Sequence, residues 1–419
     1  MRVAVIGSGG REHAVAWALE RYHPKDDVFV LPGNGGTRNS APIDPGDGKA
    51  IERFCKERRV ELVVVGPEAP LAAGLVDDLR AAGVAAFGPT RQAAQLEGSK
   101  LFAKRFMKRH GIATADSWAF DGGGDARRVV DDLGGKLVLK YDGLAAGKGV
   151  WVCRSVDEAT LALDELHARH GAAAPFLVEQ LLDGDELSII GFTDGESIRL
   201  LPPAQDHKAL RDGDRGPNTG GMGAFSPVPQ VGEALMRQIH DAVIAPTLAG
   251  LRAERFDYRG LLYFGLMLTD AGPRLLEYNV RLGDPEAEVL LPHLKTDLAK
   301  VAQACLSRRL ADLTLEIDPG YAVGVVLAAP GYPARPETGQ PIHGLDAASP
   351  AALVFHAGTR RDGGRLVTSG GRVLTVVARD LDLEAAIEKA YRAVDTIGFE
   401  GMQLRRDIGR RTWRLASSA

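Results

Sequence analysis

Cysteine is scarce in this chain of 419 residues: Cys55, Cys153 and Cys305 lie far apart, form no CxxC pair and match no metal-ligand spacing. That excludes a disulfide framework and a thiolate metal site, and it reads as buried or incidental thiols in a reducing compartment. Long apolar runs are also missing. None approaches the roughly 18 residues needed to span a bilayer. Met1-Arg2 leads straight into the apolar residues 3–6 and a glycine turn, a start unlike a signal peptide. Nor is there an excess of positive charge. With 51 Lys and Arg against 55 Asp and Glu, the formal net charge is −4, so no basic footprint for nucleic acid is present. The expectation is a cytoplasmic protein acting on small molecules, not on nucleic acid or membrane, as a monomer or small homo-oligomer.

What is there is an ordinary globular composition, 45% hydrophobic and 25% charged, over a length that one hydrophobic core rarely serves. Residues 1–98 alternate strand and helix patterns. Apolar runs at 3–6, 28–31, 62–65 and 84–87 end in Gly, Pro or Asn, with helical segments at 11–21, 49–59 and 71–82 between them. This rhythm predicts a doubly wound α/β domain, with its ligand crevice at the carboxyl ends of parallel strands. The turns Gly7-Ser8-Gly9-Gly10, Pro32-Gly33-Asn34-Gly35-Gly36 and Gly66-Pro67-Glu68 fall at those ends.

A second domain is expected over 99–319, of α+β character, with a subdomain near 115–192. It comprises a basic helix at 100–110, strands at 137–140 and 149–153 around a glycine loop, a helix near 157–169, and strands near 176–181 and 187–192. Residues 204–229, rich in Gly, Pro, Asn and Asp, read as a long irregular binding loop. A helix near 233–251 follows, then a hairpin of 261–268 with 274–281 turning at Asp270-Ala271-Gly272. Strands at 322–327 and 373–377 and a helix at 383–394 predict a small closing α/β domain over 320–419.

Chemistry concentrates in a few segments. Gly7-Ser8-Gly9-Gly10 opens a helix and suits an anion at its N-terminus, although a tight turn without a ligand would look the same. Glu12 stands where a dinucleotide fold needs its third glycine, and no acid closes the second strand, which argues against a nicotinamide site. Gly143-Leu144-Ala145-Ala146-Gly147-Lys148-Gly149 imitates a Walker A loop but is one residue short and leads into a strand. It can still cover a triphosphate, with backbone N–H groups, Lys148 and the strand-end Lys140 as donors. Glu179-Gln180-Leu181-Leu182 closes a strand in a way that can serve an adenine edge, with Glu186 beyond for ribose hydroxyls. The clearest local pattern is Glu277-Tyr278-Asn279-Val280-Arg281. Strand alternation puts Glu277, Asn279 and Arg281 on one face, suiting Mg²⁺ and a transferred phosphoryl group, and Tyr278, Val280 and Leu282 on the other.

Assembled in order, GSGGREHA at 7–14, GPEAP at 66–70, LEGSK at 96–100, DGLAAGKGV at 142–150, QDHK at 205–208, GPNTGGMG at 216–223 and GDPE at 283–286 make the chain resemble the phosphoribosylamine–glycine ligase family of ATP-grasp enzymes. The resemblance runs nearly end to end. It implies an ATP-grasp core at 99–319 with a lid near 115–192, and ligation of glycine to 5-phosphoribosylamine through glycyl phosphate, with Mg²⁺ or Mn²⁺ and ATP as co-substrate. By motif, ATP would be held by Lys104, Lys140, Gly147, Lys148, Glu179, Gln180, Leu182 and Glu186, and the metal by Glu277 and Asn279. Arg281, Asp206 and Lys208 would act at the reacting groups. Substrate contacts would come from Gly9, Gly10, Asn34, Pro67, Glu68, Asn218, Thr219, Gly220, Gly221, Asp284 and Glu286. The turns at 7–10, 32–35 and 66–70 would help to hold the ribose phosphate. Tyr141, Gln180 and Ala209 depart from the family pattern without removing a proposed ligand. Gly265-Leu266-Met267-Leu268 lacks an acid that many relatives carry, which leaves the number of metals open. A carboxylase of the same fold would lack the QDHK and GPNTGGMG combination. A regulator with degenerate catalysis would be expected to lose Glu277, Asn279 or Arg281.

Overall fold

In the parallel sheet of the first domain, each strand sends alternate side chains into two different cores. Val3 and Val5 enter one, Ala4 and Ile6 the other, so the strand is an unbroken apolar run. A computed structural model describes residues 1–121, 126–144, 149–348 and 350–410. Val3–Gly7 lies between Val28–Pro32 and Leu62–Val65, and Ala86–Phe87 forms the short outer strand, all parallel. Helix Gly10–Glu20 starts just past the first strand. The single helix expected at 71–82 is two, Glu68–Ala73 and Leu75–Ala81. Gly74, at φ +92°, breaks them, and a Cβ there would meet the Arg91 guanidinium at 2.5 Å.

Helices Arg91–Gly98 and Lys100–Arg109 lead to an antiparallel sheet of Ser117–Phe120, Phe176–Gln180, Lys136–Tyr141 and Val150–Arg154. That sheet and helix Val156–His170 enclose their own small core around Leu139, Leu166 and Phe176. This sheet ends at Gln180, and Asp185–Thr193 pairs along its whole length with Gly260–Thr269. Those two strands, with Ile198–Leu200 and Gly272–Asn279, make the central sheet. Its hairpin turns at Asp270-Ala271, as expected.

The stretch 204–229 is not irregular. It forms Gln205–Asp206, Ala209–Arg211, Arg215–Asn218 and Gly223–Ser226. The first and last of these join Tyr321–Ala328, Arg372–Asp380 and Leu353–His356 in one antiparallel sheet, covered by helix Leu383–Val394. The closing sheet is therefore built from two distant parts of the chain. The helix expected at 233–251 runs as Glu233–Ile239 and Ala245–Ala253, with a π-turn at His240–Ile244 between them.

The closing sheet grips the first domain through two histidines. The backbone N–H of His356 donates to Nδ1 of His13 at 2.8 Å, and the Asn34 amide donates to the His356 carbonyl at 2.7 Å. Burial, reinforced by the neighbouring His356, pushes His13 down to about 3, and burial with the Arg361 charge pushes His356 down to about 4. Both rings stay neutral in the fold, whereas the unfolded chain takes up protons below about 6.5. Their contribution to stability is thus complete above that pH and falls as pH drops toward 4. Thermal melts of His13→Gln and His356→Gln are expected to show a shallower loss of Tm between pH 6.5 and 4 than the parent chain. Equal slopes would show that these rings do not stay neutral.

Candidate active site

Strand Gly272–Asn279 presents the face expected from its alternation. Tyr278, Val280 and Leu282 are buried, while Glu277, Asn279 and Arg281 are partly open on the other side. The Tyr278 hydroxyl shares a 2.7 Å hydrogen bond with Thr247, which fixes the packed face. A bulge interrupts the pairing: Gly265 faces Glu277, but Leu266 faces Leu275, so Leu276 is the extra residue. Its carbonyl is thereby turned to accept from Lys140 Nζ at 3.2 Å.

Lysines and carboxylates converge beside this face. Glu179, at the end of strand Phe176–Gln180, is buried and lies 3.3 Å from Lys104 and 3.1 Å from Lys140. Burial lowers Lys104 to about 8, against the opposing pull of Glu179. Lys208 pairs with Glu186. Burial works against its charge, but Glu186 and Asp206 outweigh that and hold it well above the ordinary lysine value. Asp206 behaves in the opposite sense. Burial raises it to about 7 with help from Glu286, Glu186 and Glu277, although Lys208 opposes the shift. A cavity of about 20 Å³ lies between Glu186, Ser188, Lys208, Tyr263 and Glu277. Glu186, expected beyond the connector for ribose hydroxyls, lies at the start of strand Asp185–Thr193 and faces Lys208. Gln180 is exposed at the strand end, and Leu182 lies just beyond it, half-buried.

Arg281 is held from several sides. Nη2 donates to Glu97 Oε1 at 2.7 Å and to Asn279 Oδ1 at 3.1 Å, Nη1 donates to the Leu282 carbonyl at 3.0 Å, and Nε lies 3.3 Å from Glu68. Burial opposes the Arg281 charge, yet Glu97 and Glu68 raise its pKa further. Glu97 received no role from sequence, nor did Lys100, whose Nζ donates to the Gly143 carbonyl at 2.9 Å. The motif at 96–100 contained both, and Asp142, just past strand Lys136–Tyr141, ties it to that strand by accepting from Ser99 Oγ and the Leu101 N–H.

The expected substrate residues separate into groups. Glu286 is buried and accepts from Ser188 Oγ at 3.0 Å and the Tyr263 hydroxyl at 3.1 Å, which brings it to the same cavity wall. Asp284 pairs with Arg372 at 3.1 Å; Arg372, an isolated arginine on a strand, gave no signal in the sequence. Arg372 also donates to the Gly220 carbonyl, and Thr219 Oγ1 donates to the Lys208 carbonyl while accepting from Gly221, so 218–221 sits against the lysine. Asn218 is exposed and pairs in register with Ala209. Pro67 precedes helix Glu68–Ala73, whose first residue reaches Arg281.

Gly9 and Gly10 serve the chain's own carboxylates. Glu12 accepts from the Gly9 N–H at 2.6 Å, and added Cβ atoms at Gly7, Gly9 and Gly66 would lie 2.5, 2.8 and 2.2 Å from its side chain. A Cβ at Gly10 would meet Glu288 at 2.3 Å. Asn34 spends its amide on the Ser8 and His356 carbonyls and on the Gly36 N–H. Gly147 and Lys148 lie outside the described residues.

The Glu277–Asn279 pair fits a magnesium-class cation. Burial opposes the Glu277 charge, but Lys208, Lys140 and Lys100 hold its carboxyl below the usual range, so a charged oxygen is available. Asn279 adds an amide oxygen, Oδ1, which also accepts from Arg281 Nη2 at 3.1 Å, while its Nδ2 faces Glu277 Oε1 at 3.5 Å. No group of three or more His, Cys, Asp or Glu suited to a metal occurs among the described residues. One carboxylate and one amide oxygen are what Mg²⁺ takes from a protein when phosphates and water complete its shell.

Three models of phosphoribosylglycinamide synthetase match the chain: the N domain at 1–97, the ATP-grasp (A) domain at 98–287 and the C domain at 322–411. A phosphoribosylamine–glycine ligase of Rhodopirellula baltica is 47% identical over 421 residues, covering 97% of this chain and 96% of that one. The trifunctional purine biosynthetic protein adenosine-3 of Gallus gallus is 49% identical over 98% of this chain, which spans only 42% of that longer protein. The crystal structure of phosphoribosylamine–glycine ligase from Thermotoga maritima superposes with a TM-score of 0.84 at 38% identity, over 97% of this chain and 100% of that one. A biotin carboxylase domain from Hydrogenobacter thermophilus shares the fold at 16% identity and a TM-score of 0.71. With three domains matched in order and nearly half the residues identical over the full length, the chain belongs to the phosphoribosylamine–glycine ligase family.

Proposed function

We propose that this chain joins glycine to 5-phosphoribosylamine at this site in two steps, giving glycinamide ribonucleotide, ADP and phosphate in de novo purine synthesis. In the first step a glycine carboxylate oxygen attacks the γ-phosphorus of ATP, the bond to the bridging oxygen breaks, and glycyl phosphate and ADP form. In the second the amine nitrogen attacks the carbonyl carbon, phosphate leaves with the electron pair, and the amine loses a proton.

The observation that carries this reading is the meeting of Lys104, Lys140 and Lys208 with the Glu277–Asn279–Arg281 face around Glu179 and Glu186. Lysines already paired with carboxylates can turn to a triphosphate. Fixed donors aimed at developing charge supply much of the transition-state stabilisation in such transfers. Mg²⁺ or Mn²⁺ on Glu277 and Asn279 would offset phosphate charge. Asp206, Lys208, residues 218–221, Asp284 and Glu286 line the side where the acyl group and the amine meet. The crevice of the first domain takes the ribose phosphate. There the Gly9 amide is already bonded by Glu12, so the turns at 32–35 and 66–70 carry more of that contact. The domain division at residues 98 and 319, work in the cytoplasm as a monomer or small homo-oligomer, and independence of nucleic acid and membrane belong to the same proposal. No described helix is long and apolar enough to cross a membrane.

ADP release is expected only when glycine, phosphoribosylamine and Mg²⁺ are all present. Full turnover with bicarbonate in place of glycine would favour a carboxylase. Glu277→Gln removes a charged oxygen and is expected to lower kcat by about 10²-fold or more with the fold intact. Tyr278→Phe, on the opposite face, is expected to cost about 1 kcal/mol of stability and leave turnover near normal. Kinetics and thermal melts of both at saturating ATP separate the faces; a normal Glu277→Gln would remove that residue from the site.

A further inference from the structure

We infer that Glu97 is a positioning residue for the reaction proposed above, holding Arg281 and Asn279 in the geometry that Glu277 needs. Glu97 lies on helix Arg91–Gly98, far from the strand in sequence. Its two carboxylate oxygens do separate jobs. Oε2 accepts from the backbone N–H of Val280 at 2.8 Å, the first amide beyond the end of strand Gly272–Asn279. Oε1 accepts from Arg281 Nη2 at 2.7 Å. One rigid group therefore fixes both where the backbone goes after the strand and where the next arginine points.

The hold continues into the site. The same Nη2 of Arg281 donates to Asn279 Oδ1 at 3.1 Å, and Asn279 Nδ2 lies 3.5 Å from Glu277 Oε1. The connected series is Glu97, Arg281, Asn279, Glu277. The Glu97 side chain is 9% exposed and touches none of the cavity described above, so it acts through its neighbours. A buried ion pair used only as a brace would be expected to affect stability alone. A group that orients metal ligands also affects metal affinity, typically by about 10–100-fold when it is lost.

The test uses the full chain and two variants. Glu97→Gln keeps the shape but replaces one acceptor by a donor; Glu97→Asp keeps the charge but is too short to reach both partners. Mn²⁺ binding to the protein–ATP mixture is followed by electron paramagnetic resonance, beside thermal melts and the split of kcat from KM. The expectation is that both variants fold, bind Mn²⁺ about 10-fold more weakly or worse, and lose kcat while KM for glycine changes little. Unchanged Mn²⁺ affinity and kcat with a lowered Tm would reduce Glu97 to a structural brace and overturn the inference. If Glu97→Gln does not fold, Glu97→Asp decides by the same readouts. Wild-type turnover with glycine and phosphoribosylamine is the reference arm. Its absence would sink the proposed reaction, whereas the Mn²⁺ titration judges Glu97 on its own.

Discussion

Burying several lysines together is expensive unless each finds an opposite charge, and that constraint orders this molecule. Lys104 and Lys140 share the single carboxylate Glu179. Lys208 leans on Glu186, and Lys100 lies within the field of Glu277. These carboxylates come from the sheet that contains Phe176–Gln180 and from the central sheet, so the two can meet only where the lysines are neutralised. The arrangement stands ready for a polyanion. A triphosphate brings more negative charge than Glu179 alone can offer, and the lysine stems need only turn toward it.

A second layer of carboxylates and arginines joins the first domain to the rest. Glu12 fills the space left by Gly7, Gly9 and Gly66 and pairs with Arg11, which reaches the Leu282 carbonyl. Glu68 and Glu97 hold Arg281, and Arg372 of the closing sheet holds Asp284. All three parts of the chain therefore end on residues 277–284. The glycines of the first turn make room for the side chains of Glu12 and Glu288.

Local periodicity made much of this legible. The helix at 383–394 and the hairpin turn at 270–271 stand where their patterns put them. The division between Glu277, Asn279 and Arg281 and the packed Tyr278, Val280 and Leu282 follows from the period of a strand. What depended on partners distant in sequence was hidden. The bulge at Leu276 is a matter of register with Gly260–Thr269. Within 204–229, strand Gly223–Ser226 forms against Tyr321–Ala328, about a hundred residues on, and Gln205–Asp206 pairs with it in turn. The spacing of Glu186 from Glu179 does not say which sheet the next strand joins, and only the pairing of Asp185–Thr193 with Gly260–Thr269 puts Glu186 on the central sheet. Glu97 and Arg372 sit in elements whose own composition is ordinary, and only the fold brings them to Arg281 and Asp284.

Whether the lysines wait on carboxylates for a triphosphate can be read from protons. Lys104, lowered to about 8 by burial despite Glu179, is partly neutral at pH 8. The arrival of a triphosphate should raise its affinity for a proton. Titration calorimetry of MgATP binding at pH 8, in two buffers of different ionisation enthalpy, measures this uptake. The expected result is net proton uptake that is lost in Lys104→Met. Buffer-independent heats, or the same uptake without Lys104, would contradict it.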